Sequence, residues 1–494
     1  MLKELDLTRK LSKEEYAPIA EALGPRLTML QQRIIQAKIP VIILFEGPSA
    51  AGKGATVNSL ILHFDARGFT VFNTQDPEPG DLRVPWLARF AKQMPAYGRM
   101  AIYDRSWYGG WFRRFGRKTG KEKYTRYFEE INTFERQLTD DGYLILKYFL
   151  YIDKKEQKKR FEKLKRVKST SWRVNKADFK NLKFHKELTE ISDQMLEATN
   201  TSYAPWRPVA ATDKRYVRAT VFSSIADELE SALKIREEKP AQETDFAPQV
   251  KPCFHLLPHK TIEELDLTKA IAEKEYKERL KSLQKKLFKL QNKLYLAKIP
   301  VIIAYEGNDA AGKGGNIRRV ASALDARGYS VTPIAAPTPD ELSHQYLWRF
   351  WKALPRTGHF GIFDRTWYGR VLVERVEGFT PVSRINQAYN EINEFEYMLH
   401  RWGAVIFKFW LAIDQDEQLR RFEERENTPE KQWKITQEDW RNRDKWNLYT
   451  AAVNDMFRYT NTDFAPWTAI ESNDKHYARI KTLETMITAI EKRL

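Results

Sequence analysis

The sequence predicts an α/β fold that occurs twice in one chain, as two tandem domains that each contain a mostly parallel sheet flanked by helices. Three observations favour this prediction. The chain has 494 residues, which is too many for one compact core. Blocks of sequence recur in the same order in the two halves. Within each half, short β-branched apolar runs alternate with helical stretches, as in parallel sheets that are covered on both faces.

The internal repeat defines the domain organisation. AKIPVII at 37–43 returns unchanged at 297–303, and NTSYAPW at 200–206 returns as NTDFAPW at 461–467. A repeat of this length is a duplicated domain rather than a solenoid. The stretch between the copies is rich in proline and charge and has no helical or strand period, which is typical of a linker. The predicted divisions are a first domain at 1–235, a linker at 236–260 and a second domain at 261–494.

Composition restricts the function classes. Hydrophobic residues make up 42% of the chain, as in folded globular proteins. Cys253 is the single cysteine, which excludes an intrachain disulfide and predicts a reducing, cytoplasmic location. No apolar run reaches the roughly 20 residues that span a bilayer, so no membrane partner is expected. The net charge of +17 suits nucleic acid, anionic lipid or a phosphate polymer, but it is equally compatible with no such partner.

A glycine-rich loop follows the first apolar run of the second copy. EGNDAAGKGG at 306–315 satisfies G-x-x-x-x-G-K, after a strand and before a helix. In this context the backbone wraps a phosphate, the helix N-terminus faces it and Lys313 adds a positive charge. The pattern therefore predicts P-loop kinase-like domains with Lys313 as a catalytic residue. The predicted phosphate-binding residues of the loop are Gly307, Ala310, Ala311, Gly312 and Gly314.

Two acidic residues stand out near this loop. Gly314 takes the place of the usual Ser or Thr that holds Mg²⁺, so another group has to bind the metal. Asp309 lies inside the loop, where a carboxylate is suited to hold Mg²⁺ or to accept a proton; a turn-forming role is the alternative. Asp364 ends a short apolar run, the usual position of a second metal anchor. We predict that Asp309 and Asp364 are catalytic and bind Mg²⁺.

Two arginines follow Asp364 in the motif DRTWYGR. Arg365 and Arg370 are predicted to act on phosphate, because the guanidinium group binds phosphate in a bidentate manner. Trp367 and Tyr368 in the same motif either stack on a base or pack in the interior, and packing is the more frequent explanation.

A charged segment late in the second copy predicts a helical lid. EQLRRFEEREN at 417–427 is an amphipathic helix in which Arg421 and Arg425 lie four residues apart, and WRNRDKW at 440–446 follows a polar stretch. Lids that bring arginines over a reacting phosphate are common in phosphoryl transfer. Most of these charges are expected to be solvated, and we predict phosphate contacts only for Arg425 and Arg443.

In combination, these motifs resemble the family-2 polyphosphate kinases. The resemblance rests on EGNDAAGKGG, APTPDEL followed by YLWRFWKALP, FDRTWYGR with Glu374 after it, KFWLAIDQDEQLRRFEER, the WK pair that ends at Lys434, and NTDFAPW. It covers nearly all of the second half and, more loosely, the first. The fused two-copy layout is similar to the polyphosphate:AMP phosphotransferase subgroup.

The resemblance implies transfer of the terminal phosphoryl group of inorganic polyphosphate to AMP, giving ADP, with Mg²⁺ as cofactor. It makes Asp309 and Asp364 similar to the family's acidic pair for metal and acceptor phosphate, and Lys313 with the lid arginines similar to its polyphosphate grip. Glu374 and Lys434 are assigned to nucleotide or lid contacts. Polyphosphate and AMP or ADP are the expected partners, nucleic acid is not, and a homo-oligomer, a dimer, is compatible with the fused copies.

The two copies differ at the predicted site. The first copy keeps Lys53, Asp104 and Arg105. Seven residues of the second copy are replaced by a different residue in the first. With the first-copy residue in parentheses, they are Asp309 (Ser49), Arg318 (Asn58), Arg370 (Gly110), Glu374 (Arg114), Arg425 (Leu164), Arg443 (Leu182) and Trp446 (His185). The joint loss of an acidic residue and several arginines, among them the predicted phosphate ligand Arg318, predicts a catalytically silent first copy.

The first copy is nonetheless the more basic one, largely through KKEQKKRFEKLKRVK at 154–168. A long polymer that runs across this segment is one hypothesis, and a plain solvated helix is the simpler one.

Three other functions remain open at the level of sequence. The first is an ATP-dependent nucleotide kinase with the same loop, and the second is a polyphosphate-dependent nucleoside diphosphate kinase. The third is a P-loop protein that binds polyanions or nucleic acid without catalysis, although the sequence has no recognisable nucleic-acid-reading module.

Overall fold

The computed structural model describes residues 1–109, 121–238 and 244–494. The chain divides into two compact units. The first unit comprises 1–77, 89–242 and 342–345, and the second comprises 78–88, 243–341 and 346–494. Each unit contains a parallel sheet with flanking helices, so the predicted duplicated α/β fold is confirmed.

The first unit is built on five strands. They are β1 (Val41–Glu46), β2 (Phe69–Asn73), β3 (Met100–Asp104), β4 (Leu144–Tyr151) and β5 (Trp206–Ala210), in the order β2-β3-β1-β4-β5. Its helices are α1 (Lys13–Gln36), α2 (Lys53–Leu60), α3 (Ala88–Ala91), α4 (Lys121–Asp140), α5 (Lys154–Arg166), α6 (Lys176–Lys183), α7 (His185–Ala198) and α8 (Lys214–Glu238). Strand β1 is buried along its whole length, which explains why its sequence is a continuous apolar run rather than an alternating one.

The second unit repeats this plan. Its strands are β6 (Val301–Gly307), β7 (Tyr329–Pro333), β8 (Phe360–Asp364), β9 (Val405–Ala412) and β10 (Trp467–Glu471), in the order β7-β8-β6-β9-β10. Its helices are α9 (Glu273–Ala297), α10 (Lys313–Ala321), α11 (Pro339–Leu342), α12 (Trp348–Ala353), α13 (Val373–Val376), α14 (Val382–Trp402), α15 (Gln415–Glu426), α16 (Gln437–Asp444), α17 (Trp446–Thr460) and α18 (Lys475–Arg493).

The register of the second sheet positions the candidate site. Strand β6 is central, with β8 and β9 as its parallel neighbours. Tyr305 on β6 is level with Asp364 at the end of β8, and Gly307 is level with Leu411 on β9. The carboxyl ends of the three strands therefore meet at one edge of the sheet, where ligands bind in open parallel sheets.

Apolar packing holds this edge in place. Leu287 and Leu294 of α9, Met486 of α18, and Ile303 of β6 belong to one buried cluster. Helices α9 and α18 therefore cover one face of the sheet through the apolar stripe that their sequences predict.

The predicted linker 236–260 begins inside α8, which ends at Glu238, and residues 239–243 lie outside the described part of the chain. Phe254 is buried and packs against Tyr397 and Phe464 of the second unit. The N–H of Leu257 also donates to the carbonyl of Asn461 at 2.7 Å. An isolated Phe in an aperiodic stretch carries no helix or strand signal, so sequence periodicity did not predict this packing.

Among the described residues, helices with the length and apolarity to cross a bilayer are absent.

Candidate active site of the second unit

The glycine-rich loop joins β6 to α10, as predicted. Gly307, Ala310 and Gly312 all have positive φ, of 151°, 62° and 98°. A Cβ on Gly307 would lie 2.5 Å from the carbonyl oxygen of Leu411, so only glycine fits there. The Lys313 ammonium donates to the carbonyls of Gly307 at 2.6 Å and Asn308 at 3.2 Å. These bonds hold the turn closed.

Burial and nearby carboxylates act on the Lys313 side chain in opposite directions. Burial lowers the pKa of Lys313, while the nearby carboxylates Asp309, Asp364 and Glu306 oppose this shift. A charged ammonium at the start of α10 adds to the partial positive charge of the helix N-terminus. The loop thus combines a positive site with three carboxylates beside it.

Asp309 is held by groups from three other segments. Its carboxylate accepts from the Asn442 amide at 2.8 Å and faces the Arg365 guanidinium at 3.5 Å. Gln418 of α15 donates to the Asp309 backbone carbonyl at 3.1 Å. Only 15% of the Asp309 side chain is exposed. The lid helices α15 and α16 therefore fix the position of this carboxylate.

Asp364 and Arg365 lie at the end of β8. Arg365 has a φ of 65° and its N–H donates to the Tyr305 carbonyl at 3.0 Å. The buried Glu306 accepts from both the N–H and the hydroxyl of Thr366, each at 2.7 Å. Burial raises the pKa of Glu306. These bonds turn the chain sharply after the strand and bring Asp364 and Arg365 to the loop.

A cavity of about 630 Å³ opens over the loop. Of the predicted residues it is lined by Asp309, Ala310, Ala311, Gly312, Lys313, Gly314, Asp364, Arg365 and Arg425. Three further cations, Lys431, Lys475 and Arg479, also line it. Arg421 lines it as well, but it is buried and donates to the carbonyls of Ala310 and Ser472 at 2.9 and 2.7 Å. Arg421 thus supports the loop, in agreement with its omission from the predicted phosphate ligands.

A second cavity of about 110 Å³ shares two residues with the first. Asp309 and Arg365 line both. The apolar and aromatic residues of its wall are Leu372, Val373, Trp410, Trp446 and Tyr449, and its polar residues include Glu306, Gln418, Glu438 and Asn442. Gly307 lines this second cavity rather than the first.

Four other predicted residues lie away from both cavity walls. Arg318 is exposed on α10. Arg370 pairs with Glu374 at 3.1 Å, and both bond the Thr380 hydroxyl at 2.7 Å. Arg443 donates to the Gln415 carbonyl at 2.7 Å. The direct substrate contacts assigned to these residues therefore stay predictions. The side chain of Lys434 lies outside the described part of the structure.

Trp367 and Tyr368 are buried, with 1% and 0% of their surface exposed. Both donate to the Glu396 carboxylate, at 3.0 and 2.8 Å. Their predicted role in packing is confirmed.

Sequence reasoning missed Asn442, Lys475 and Arg479. Asn442 lies between the two predicted arginine positions of the lid and bonds Asp309 through its amide. Lys475 and Arg479 are four residues apart at the start of α18, directly after β10. This cation spacing after the last strand was a usable signal, and it recurs at Lys214 and Arg218 in the first copy.

The first unit builds its loop in the same way but covers it differently. Lys53 donates to the carbonyls of Gly47 and Pro48 at 2.8 and 3.1 Å, and Arg160 donates to those of Ala50 and Ala51, each at 3.0 Å. Above the loop lies an apolar cluster of Phe161, Val174 and Leu182, with Ala50, Leu164 and Phe179 packed against it. Two members of this cluster, Leu164 and Leu182, replace Arg425 and Arg443. The counterparts Gly110 and Arg114 lie outside the described residues.

Comparisons with known proteins place the chain in a family. The family model for Polyphosphate kinase 2 (PPK2) matches residues 10–237 and 270–494. A polyphosphate:AMP phosphotransferase from Pseudomonas aeruginosa is 40% identical over 496 residues, which cover 99% of this chain and 99% of the relative. One from Pseudomonas syringae pv. tomato is 41% identical over 461 residues, 92% of this chain and 91% of the relative.

A solved structure agrees. The crystal structure of a Pseudomonas aeruginosa PA01 protein assigned to polyphosphate kinase 2 superposes with a TM-score of 0.86 at 37% identity, over 100% of this chain and 99% of that one. Because the family model matches most of both halves, the chain belongs to the polyphosphate kinase 2 family.

Proposed function

We propose that the second unit transfers the terminal phosphoryl group of inorganic polyphosphate to AMP, giving ADP, and that the first unit is catalytically silent. One observation supports this above all: Asp309 and Arg365 line both a cation-rich cavity and a smaller one whose wall includes Trp410, Trp446 and Tyr449. Two anionic substrates that react with each other have to meet at such a boundary. The full-length relatives named polyphosphate:AMP phosphotransferase support the same reaction.

The larger cavity suits the polyphosphate donor. Lys313, Arg425, Lys431, Lys475 and Arg479 come from the loop, the lid and α18, so they surround the space from several sides. A polymer with a negative charge on each phosphate requires several cations at once. The N–H groups at the start of α10 contribute to the same site.

The smaller cavity suits the nucleoside of the acceptor. Trp446, Tyr449 and Trp410 offer aromatic surface, and Asn442 and Glu438 offer hydrogen-bonding groups. Aromatic side chains next to a few polar groups are typical of base recognition. In this arrangement the AMP phosphate points toward Arg365 and Asp309.

The residues present fit a Mg²⁺ ion that is shared with substrate. Asp309 and Asp364 both line the larger cavity, whereas no group of three or more potential metal-binding side chains occurs in the described residues. Magnesium is commonly held by one or two carboxylates together with substrate phosphates and water. When bound, the ion would offset the charge of the phosphates. A Cβ on Gly314 would meet nothing within 4 Å, so that position leaves space in the cavity.

The chemistry then consists mainly of positioning. An oxygen of the AMP phosphate attacks the terminal phosphorus of the polymer, the bond from that phosphorus to the bridging oxygen breaks, and the chain is shortened by one phosphate. Lys313 and Arg425 hold the donor, while Arg365 spans both substrates and balances the charge that spreads over the transferred group.

A cytoplasmic location is part of the proposal. It is supported by the lone Cys253, which is exposed and free and is therefore suited to a reducing compartment.

A donor assay tests the reaction. The intact protein with AMP, Mg²⁺ and polyphosphate, but without ATP, should produce ADP. Production of ADP only when ATP is supplied would identify an ATP-dependent nucleotide kinase. Phosphorylation of nucleoside diphosphates but not of AMP would identify the diphosphate kinase. Either result would contradict the proposal.

A variant tests the acceptor cavity. Trp446→His copies the residue of the first unit and removes aromatic surface, so it should raise the KM for AMP about tenfold. The KM for polyphosphate should stay unchanged, since Trp446 lines only the smaller cavity. An unchanged KM for AMP would exclude the smaller cavity as the acceptor site.

A further inference from the structure

The lid of the first unit carries an unusual concentration of positive charge. Residues 154–186, which contain α5 and α6, hold fourteen Lys and Arg against three Asp and Glu. Thirteen of these cations are exposed. The equivalent residues 415–447 of the second unit hold eight Lys and Arg against nine Asp and Glu. We refer to the exposed cations of 154–186 as the basic lid surface.

The ion pairs of the two lids differ accordingly. In the second unit, Lys431 pairs with Glu424 at 2.5 Å and Arg420 pairs with Glu417 at 2.7 Å. In the first unit, Glu156 pairs with Lys159 at 3.6 Å and with Arg160 at 2.8 Å. Within the described part of the chain, Lys155, Lys163, Lys165 and Lys183 form no ion pair, and the Lys165 ammonium lies 5.3 Å from the centroid of the Phe179 ring. No carboxylate of the described residues therefore offsets these four charges.

Several of these cations replace acidic residues. Four acidic residues of the second lid have a lysine at the equivalent position of the first lid. With that lysine in parentheses, they are Asp416 (Lys155), Glu424 (Lys163), Glu426 (Lys165) and Asp444 (Lys183). A loss of catalysis requires only that ligands are lost. It does not explain why acidic residues of the lid are replaced by lysines. Like charges four residues apart, such as Lys155 and Lys159, also destabilise the isolated helix. A bound polyanion would remove this repulsion.

We propose that the basic lid surface binds inorganic polyphosphate and keeps it on the chain. This inference rests on the proposed function for one point, that the second unit consumes the polymer. Helix α5 has 13 residues, a length of about 20 Å, so its exposed lysines can contact several consecutive phosphates. A polymer held by one unit is present at a raised effective concentration for the other unit of the same chain. The silent copy thereby serves as a donor-binding module.

Direct binding tests the proposal independently of turnover. The test variant carries Lys155→Asp, Lys163→Glu, Lys165→Glu and Lys183→Asp, which restores the residues of the second unit. The matched control carries Lys281→Glu, Lys285→Glu, Lys289→Glu and Lys293→Glu on α9. All eight lysines are exposed, and both variants change the net charge equally. Circular dichroism checks that each variant is folded.

Long-chain polyphosphate and tripolyphosphate are titrated into each protein without AMP, at one fixed salt concentration. The test variant should bind long-chain polyphosphate about tenfold more weakly than the control. Tripolyphosphate affinity, and the kcat of AMP phosphorylation with tripolyphosphate as donor, should be equal in both. If both variants bound long-chain polyphosphate equally weakly, net charge alone would explain the effect. That result would overturn the proposal.

Competition identifies the occupant. Single-stranded RNA with the same number of phosphates as the polymer should displace long-chain polyphosphate at least tenfold less effectively than polyphosphate itself. Equal displacement by RNA would make the surface a nucleic-acid site and overturn the assignment, while the donor assay for the second unit would be unaffected.

Discussion

The two units keep the same framework and differ in what covers the loop. Lys147 pairs with Glu135 at 2.7 Å in the first unit, and Lys408 pairs with Glu396 at 2.8 Å in the second, and all four side chains are fully buried. Breaking a buried pair leaves an uncompensated charge in the interior. The framework therefore resists change, and its retention is no indication of activity.

The cover of the loop has changed from polar to apolar. Asp309 in the second unit is held by Asn442 and Arg365, and Arg425 lines the cavity above it. In the first unit the leucines at the equivalent lid positions pack with Phe161 and Ala50. Apolar side chains that fill this space stabilise the lid and cannot bind phosphate themselves. The first unit thus has a small apolar core where the second unit has a cavity that is lined by charged residues.

The loop lysines offer the strongest test of this difference. Lys313→Met should lower the kcat of AMP phosphorylation by about 10²–10³-fold, because it removes a preorganised charge at the reacting phosphates. Lys53→Met should leave kcat within about twofold, because we propose that the first unit performs no chemistry. Burial lowers the pKa of both lysines, that of Lys53 to about 8. A large loss of kcat in Lys53→Met would refute the silence of the first unit.

Exchanging a lid arginine should have a smaller effect. Arg425→Leu copies the first unit and removes the charge-assisted hydrogen bond to phosphate that we propose, and such a bond is worth about 1.5–3 kcal/mol. The KM for polyphosphate should therefore rise about tenfold or more, with little change in the KM for AMP. Steady-state kinetics with each substrate varied in turn provide the measurement, and Arg318→Asn serves as the control. We expect the KM for polyphosphate to rise more in Arg425→Leu than in Arg318→Asn. A larger rise in Arg318→Asn would contradict this expectation.

The reverse exchange should affect stability rather than activity. Leu182 is 8% exposed within the apolar cluster, so Leu182→Arg places a charge in an apolar environment. We expect a loss of about 2 kcal/mol in the local stability of the first lid. Hydrogen exchange of the amides of 161–182 should accelerate, while AMP phosphorylation stays normal. Unchanged exchange would show that the cluster contributes little to the stability of the lid.

The sequence predicted those parts of the fold and site that have local signals. The duplicated α/β units were predicted from the repeat, the loop spacing and the apolar strand runs. The position of Asp364 after its strand followed from the same pattern. The lid was predicted from an amphipathic helix, and Arg425 indeed lines the cavity.

The remaining parts depend on long-range contacts, which a local pattern does not identify by itself. Asn442 reaches Asp309 from 133 positions along the chain, and Lys475 lines the cavity from a distant helix. Lys475 and Arg479 also have cationic counterparts in the first copy, so comparing the copies did not reveal them. Arg370 pairs with Glu374, the acid four residues further along the chain, and its predicted contact with phosphate stays a prediction.

The proposal that the second unit performs the reaction is tested most directly by comparing Asp309→Ala with Ser49→Ala in the full chain. The initial rate of ADP formation from AMP and polyphosphate is measured at saturating substrate for both variants and for the unchanged protein. We expect a fall of about 10³-fold for Asp309→Ala and no more than a twofold change for Ser49→Ala. Retention of most activity in Asp309→Ala would contradict the assignment of the reaction to the second unit.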